Sequence, residues 1–345
     1  MLFIKHLVQN IRPMKKIVST LLLSLSFMTT EAQSPIDKGL NSINRASAEA
    51  TVRFLASDEL EGREAGRHGS RIAAEYIASQ LAWIGIKPMG DSYMHPFEAY
   101  RKERQQRGRF EIHPDSIAKL KEGVHRKLSL CNVLGMIPGR DSDEFVIVGA
   151  HFDHLGIDPA LEDDKIYNGA DDNASGVSAV LQIARAFVES GAIPERNVIF
   201  AFWDGEEIGL LGSRAFVQNC GIITQVKGYL NFDMIGRNNM EDRPKHVAYL
   251  YTASHPAFEK WLRDDIERYG LGLEPHYNAW DNPTGGSDNA SFAAAGVPII
   301  WYHTDGHPDF HQPSDHADKI NWDKLVDITK ASFLNMWNLA NEKEY

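Results

Sequence analysis

The sequence predicts an α/β fold: a mostly parallel mixed sheet with helices on both faces. Three observations carry this. Short apolar runs recur at 131–137, 145–150, 197–203, 226–232, 247–252 and 297–302, each the length of a strand. Segments of helical period lie among them, at 174–190, from about 210, and at 256–269, 287–295 and 322–341. Strands that read as continuous apolar runs are those buried on both faces, as in a parallel sheet covered by helices. No fixed-period repeat and no low-complexity linker interrupts residues 33–345, so a single domain is expected there.

Taken in order, the chain opens on a segment that is read apart from the fold. Met14-Lys15-Lys16 is basic, residues 17–28 (IVSTLLLSLSFM) are apolar, and Thr30 and Ala32 stand at the −3 and −1 positions before Gln33. This is the pattern of a secretory signal peptide over residues 1–32, and it predicts export to the periplasm or beyond the cell. A membrane span needs roughly 20 apolar residues, and no cysteine follows the apolar stretch to carry a lipid. No membrane partner is therefore expected after cleavage.

The chain holds 36 basic and 47 acidic residues, a net charge of −11. Residues 1–32 contain four of the basic and one of the acidic residues, leaving 32 against 46, or −14, for the remainder. Such a balance disfavours nucleic acid as a partner and agrees with carboxylates that hold divalent cations. Its 43% hydrophobic content permits a substantial core. Cys131 and Cys220 are expected as two buried free thiols, since a core of this size needs no disulfide. No residue pattern sets the oligomeric state, and a monomer is favoured.

Residues 46–58 and 71–84 read as helices, the second amphipathic through Ala73, Tyr76, Ile77, Leu81 and Ile84 and stopped by Gly85. Between them, 59–70 is a charged, glycine-rich loop. Residues 90–130 are polar with weak alternation, a strand or hairpin elaboration whose basic run at 101–109 is a solvated surface. From residue 131 the strand and helix alternation begins.

In open α/β sheets ligands bind beyond the carboxyl ends of the strands, and here those ends carry metal-ligand side chains. His151 follows the run 145–150, Glu206 and Glu207 follow 197–203 after an Asp204-Gly205 turn, and Asp233 follows 226–232. The loop after 297–302 holds His303, His307 and His311, and Asp171 stands at the entrance of the helix from 174. Each feature alone is common. Four strand ends converging on one edge are not. Three carboxylates and two imidazoles suit zinc, and five protein ligands are fully used by two ions that share one carboxylate. The remaining glutamate of the 206–207 pair is then free to act as a general base.

Those residues sit in segments that together resemble the di-zinc aminopeptidases of peptidase clan MH, a clan that includes glutamate carboxypeptidase II and the glutaminyl cyclases. The segments are LASDELEGREAG (55–66), AHFDH (150–154), NGADDNASG (168–176), WDGEEIGLLGS (203–213), NFDMIGR (231–237), GGSDNASF (285–292) and HPDFHQPSD (307–315). The resemblance runs in order over roughly 46–340 and implies the zinc-exopeptidase, phosphorylase/hydrolase-like sandwich. It implies two Zn2+ ions, one on His151, Asp171 and Asp233, the other on Asp171, Glu207 and His311, with Asp171 bridging. His311 is chosen over His303 and His307 by the resemblance alone. Glu206 resembles the general base. Asp153 resembles the carboxylate that fixes the tautomer of His151, with Asp172 as a further supporting carboxylate. A cis peptide is implied at Asp171–Asp172. The sequence has Ser287-Asp288-Asn289 where the family often has Ser-Asp-His, a departure expected to bear on specificity.

The function so implied is a secreted zinc aminopeptidase acting on peptides with a free N-terminus. A glutaminyl cyclase uses the same fold with one zinc. A carboxypeptidase or an amidohydrolase on N-acyl amino acids needs a cation for the substrate carboxylate, for which Arg237 is the candidate. A non-catalytic metal-binding module would lack the base or a ligand, and neither is missing.

Overall fold

The apolar runs pair into one sheet. The structure is a computed structural model and describes residues 33–103, 109–281 and 286–345. Its strands are β1 (Lys87–Pro88), β2 (Met94–Lys102), β3 (His125–Ile137), β4 (Asp141–His151), β5 (Gly156–Ile157), β6 (Ile166–Tyr167), β7 (Arg196–Trp203), β8 (Val226–Phe232), β9 (His246–Thr252), β10 (Glu274–Trp280) and β11 (Ile299–His303). The sheet runs β1-β3-β7-β4-β8-β11-β9-β10, with β2 also on β3, while β5 and β6 form a separate pair. Strand β4 is parallel to β7 and β8, and β8 is parallel to β11. Strands β3 and β9 join this parallel centre in antiparallel sense. The sheet is the mostly parallel, mixed one that the sequence predicts. The carboxyl ends of β7, β4, β8 and β11 all lie on one edge.

The helices are α1 (Pro35–Ser42), α2 (Arg45–Leu55), α3 (His68–Ile84), α4 (Pro114–Lys121), α5 (Gly176–Ser190), α6 (Leu211–Asn219), α7 (Ala257–Tyr269), α8 (Asn289–Ala294) and α9 (Trp322–Asn341). Because side chains alternate along a strand, Val146, Val148 and Ala150 of β4 enter one core and Ile147 the other. The first core takes Val52 of α2, Ile77 of α3, Phe187 of α5, Phe258 of α7 and Phe333 of α9. The second takes Phe216 of α6 and Phe292 of α8 against Ile199, Trp203 and Tyr229, with Phe292 stacked on Tyr229 at 3.8 Å between centroids. Both faces are covered, and each fully buried large side chain contributes about 1.5–3 kcal/mol.

Helix ends follow local chemistry. Asn44 caps α2 by accepting the Ser47 N–H, and Gly85 ends α3 at φ +96°, donating to Leu81. Helices α1 and α4 and strand β10 differ from the sequence expectation. In the polar 90–130 segment β2 and the outer half of β3 form an antiparallel pair, as the strand or hairpin expectation has it, whereas helix α4 buries no residue and so no apolar run announces it. Strand β10 is a sheet edge with no buried residue.

Both cysteines are free but half-buried, where buried thiols were expected, Cys131 lying with its sulfur 3.8 Å from that of Met94. Among the described residues, no helix is long and apolar enough to cross a membrane. The signal-peptide reading of residues 1–32 and most of the basic run at 101–109 lie outside the described residues.

Candidate metal centre

Strand β4 delivers His151 at its last position, and the chain then leaves the sheet. Phe152 still donates to Trp203 at 3.0 Å, so the departing loop runs beside the end of β7. That neighbour turns at Asp204-Gly205, where Gly205 takes φ +78°, a conformation that favours glycine. The turn brings Glu206 and Glu207 back over the sheet edge. Their backbone N–H groups are held by one carboxylate: Asp153 Oδ1 accepts from Glu206 at 2.9 Å and Oδ2 from Glu207 at 3.3 Å. Asp233 follows β8 directly, and His311 enters from the loop beyond β11.

The helix entrance before α5 is a kinked turn over Ala170–Ser175, with a cis peptide at Asp172–Asn173. Asn173 anchors it to the sheet by donating to Phe232 O at 2.9 Å. Asp315 braces it from the far end of the chain, its Oδ2 accepting the N–H groups of Asp171 (2.9 Å) and Asp172 (3.1 Å).

Here the sequence expectation is corrected by one residue. The carboxylate at the meeting point belongs to Asp172, not Asp171. Asp172 Oδ1 lies 3.3 Å from His151 Nε2, which is 3.6 Å from Asp233 Oδ1. Asp172 Oδ2 lies 3.1 Å from His311 Nε2, which is 3.2 Å from Glu207 Oε2. Asp171 points away: its Oδ1 accepts the Gly236 N–H at 2.6 Å and its Oδ2 faces His307 Nε2 at 3.2 Å. In this turn, where Asp172 takes φ −103° and ψ 95°, the two carboxylates leave on different sides, and a pair of adjacent aspartates does not reveal which one faces inward. The cis bond is likewise one residue further on than implied.

The donor spacing fits zinc. Two ligands of one tetrahedral ion at about 2.0–2.1 Å stand roughly 3.3–3.4 Å apart, and the donors of the two groups lie 3.1–3.6 Å from one another along the contacts just given. The two groups share Asp172 through different oxygens. His154, which the sequence expectation does not include, also enters. Its Nδ1 lies 2.7 Å from Glu207 Oε1 and 3.8 Å from Asp172 Oδ2, and His154, Asp172 and Glu207 by themselves form a metal-capable trio. The signal was present in His151-Phe152-Asp153-His154, where the second histidine lies three residues after the first.

Of the three histidines left open by spacing, His303 binds the Asp233 carbonyl through Nδ1 and His307 faces Asp171. His311 alone of the three reaches the shared carboxylate. Asp153 differs in part from expectation. Its backbone carbonyl, at 3.2 Å, is nearer to His151 Nδ1 than its carboxylate, at 3.8 Å. The carboxylate chiefly holds the Glu206-Glu207 turn.

Electrostatics separate the carboxylates. Burial opposes ionisation of Asp172, but His154, His151 and His311 hold it well below the usual carboxylate range. Burial pushes Glu206 well above that range; Asp233, Asp288 and Glu207 add to the rise and His151 opposes it. A pair of carboxyls driven apart in this way is suited to different tasks. Ser287, Asp288 and Asn289 are fully buried, Ser287 accepting from Asn231 at 2.9 Å. Arg237 donates to Asp309 at 2.8 Å and lies 4.0 Å from Asp315.

Residues 132–335 match the model of peptidase family M28. Leupeptin-inactivating enzyme 1 of Streptomyces exfoliatus is 32% identical over 170 residues, 49% of this chain and 34% of that protein. A glutamate carboxypeptidase 2 homolog of Caenorhabditis briggsae is 30% identical over 220 residues, 56% of this chain and 27% of that protein. The match thus spans about a third or less of these relatives. Among solved structures, BSAP, a zinc aminopeptidase from Bacillus subtilis, superposes with a TM-score of 0.67 at 15% identity, covering 88% of this chain and 97% of that one. A glutaminyl cyclase of Fimbriiglobus ruber gives 0.63 at 18% identity, covering 86% and 95%.

Proposed function

The chain belongs to peptidase family M28, and on that premise we propose that it is an exported, zinc-dependent aminopeptidase that hydrolyses the N-terminal bond of peptides. The observation that carries this reading is the place of Asp172, whose two oxygens each belong to a separate donor group. His151, Asp172 and Asp233 would hold one zinc ion and Asp172, Glu207 and His311 the other. Zinc so held supplies Lewis acidity toward a carbonyl and lowers the pKa of water. Glu206 stands free of both groups. Its raised pKa suits it to take a proton from the attacking water and deliver it to the leaving amine. His154 orients Glu207, and Asp153 fixes the backbone from which both glutamates project. Export is supported by the pattern in residues 1–32.

A glutaminyl cyclase reading is favoured by the shared fold with the Fimbriiglobus ruber enzyme; the shared position of Asp172 between two groups argues for the hydrolase. Against a carboxypeptidase, Arg237 is already paired with Asp309. A panel of aminoacyl anilides, their N-acylated analogues and Gln-peptides tests these readings, before and after chelation and zinc restoration. Zinc-restored cleavage of free-amino substrates is expected. Cleavage of N-acylated substrates alone, or cyclisation without hydrolysis, would overturn the aminopeptidase reading.

A further inference from the structure

The segment ahead of α3 supplies no metal donor, yet its arginine reaches both loops that do. Arg63 is fully buried. Its Nε donates to the Phe152 carbonyl at 2.8 Å, its Nη1 to those of Leu55 and Asn168 (2.7 Å for the latter), and its Nη2 to those of Gly169 at 2.9 Å and, at the limit of a bond, Asp172 at 3.5 Å. Its own carbonyl accepts the His154 N–H at 3.1 Å. One planar fork therefore ties the loop of His151 and His154 to the loop of Asp172.

The backbone is bent to place it. Glu61, Gly62 and Arg63 take φ values of +50°, +63° and +49° in succession, a conformation that L-residues seldom adopt and that persists where surrounding contacts hold it. A Cβ at Gly62 would lie 2.3 Å from the Gly156 carbonyl oxygen and 2.7 Å from that of Tyr167, so the segment is seated firmly against β5 and β6. A buried guanidinium is tolerated only when its donors are satisfied, and here carbonyls of the donor-bearing loops satisfy them. Burial lowers the Arg63 pKa to about 10, while Asp172, Asp315, Asp153 and Glu207 work to raise it.

We propose that Arg63 is a positioning residue of the metal centre, fixing the loop of Asp172 against the loop of His151 and His154 and so setting the donor spacing on which ion binding depends. The proposal rests on the zinc reading above. A lysine keeps the charge but is a point donor without the fork, and it cannot span both loops. Tyr249 on β9 offers the comparison: its buried hydroxyl donates to the Phe258 carbonyl at 2.9 Å and touches neither loop.

Arg63→Lys and Tyr249→Phe are compared in the full chain by zinc competition against a chromophoric chelator, with circular dichroism and thermal melting on the same samples. Arg63→Lys is expected to stay folded and to weaken zinc binding on the order of 10- to 100-fold, as loss of a ligand-orienting partner does. Tyr249→Phe is expected to melt earlier and bind zinc as the unsubstituted chain does. Unchanged zinc affinity in Arg63→Lys, an equal loss in Tyr249→Phe, or an Arg63→Lys chain that stays unfolded in saturating zinc would each overturn the proposal. An unsubstituted chain that binds no zinc would overturn the zinc reading itself, a distinguishable failure.

Discussion

The carboxylate of Asp153 receives the backbone N–H of Glu206 at 2.9 Å and, on its other oxygen, that of Glu207 at 3.3 Å. One side chain thereby sets the position of the candidate base and of a candidate metal donor together. Asp153→Asn replaces one acceptor by an amide group that faces an N–H. We expect kcat/KM to fall by about 10- to 100-fold, read by steady-state kinetics on an aminoacyl anilide. A rate close to that of the unsubstituted chain would show that the turn holds without it.

Glu206→Gln removes the candidate proton carrier while keeping size and shape. Zinc content should match the unsubstituted chain, and turnover should fall by about 10²- to 10⁴-fold. Metal analysis and single-turnover rates on one preparation check both halves. Near-normal turnover would remove Glu206 from the role of base.

The adjacent aspartates should separate cleanly. Asp172→Asn replaces the oxygen of one donor group by an amide nitrogen and leaves that of the other uncharged, and should weaken zinc beyond the roughly 10- to 100-fold typical of a supporting residue. Asp171→Asn keeps an acceptor for the Gly236 N–H and should lower the melting temperature with zinc affinity largely kept. The reverse ranking in a chelator competition would restore Asp171 as the shared ligand.

Away from the centre, Asp265 on α7 gives a pH signature. Burial, with Asp264 adding, raises its pKa from 3.8 to about 6, and its Oδ2 is buried without a hydrogen-bond partner. A folded-state pKa above the unfolded one contributes stability that is fully present below pH about 4 and lost as pH rises through about 6. Asp265→Asn should therefore melt higher at pH 8 and match the unsubstituted chain at pH 4. Discounted for partial solvent screening, the gain is on the order of 1 kcal/mol. Melting curves at the two pH values decide it, and an equal shift at both would exclude titration as the cause.

What could be read from the sequence followed from burial. Strands β4, β7, β8 and β11 are apolar because helices cover both faces, so their ends, and the ligand types after them, were readable in one dimension. Strand β10 and the outer half of β3 lie at edges where no core imposes a pattern. The site was legible as a set of residue types but not as side-chain directions. Asp171 and Asp172 are chemically identical, and only the kinked turn, anchored by Asn173 and by Asp315 from 143 residues away, decides which faces inward. Arg63 was hidden for a related reason: its partners are backbone carbonyls, which every sequence contains.

The brace from Asp315 also makes the centre a non-local product of folding. Asp315 stands 143 residues beyond Asp172, so the turn receives the carboxylate that holds its amides only once segments that far apart in sequence have closed on each other. Contacts of such separation carry the loop-closure cost that slows folding, and the arrangement of Asp172 is therefore set by the whole sheet and not by its own turn.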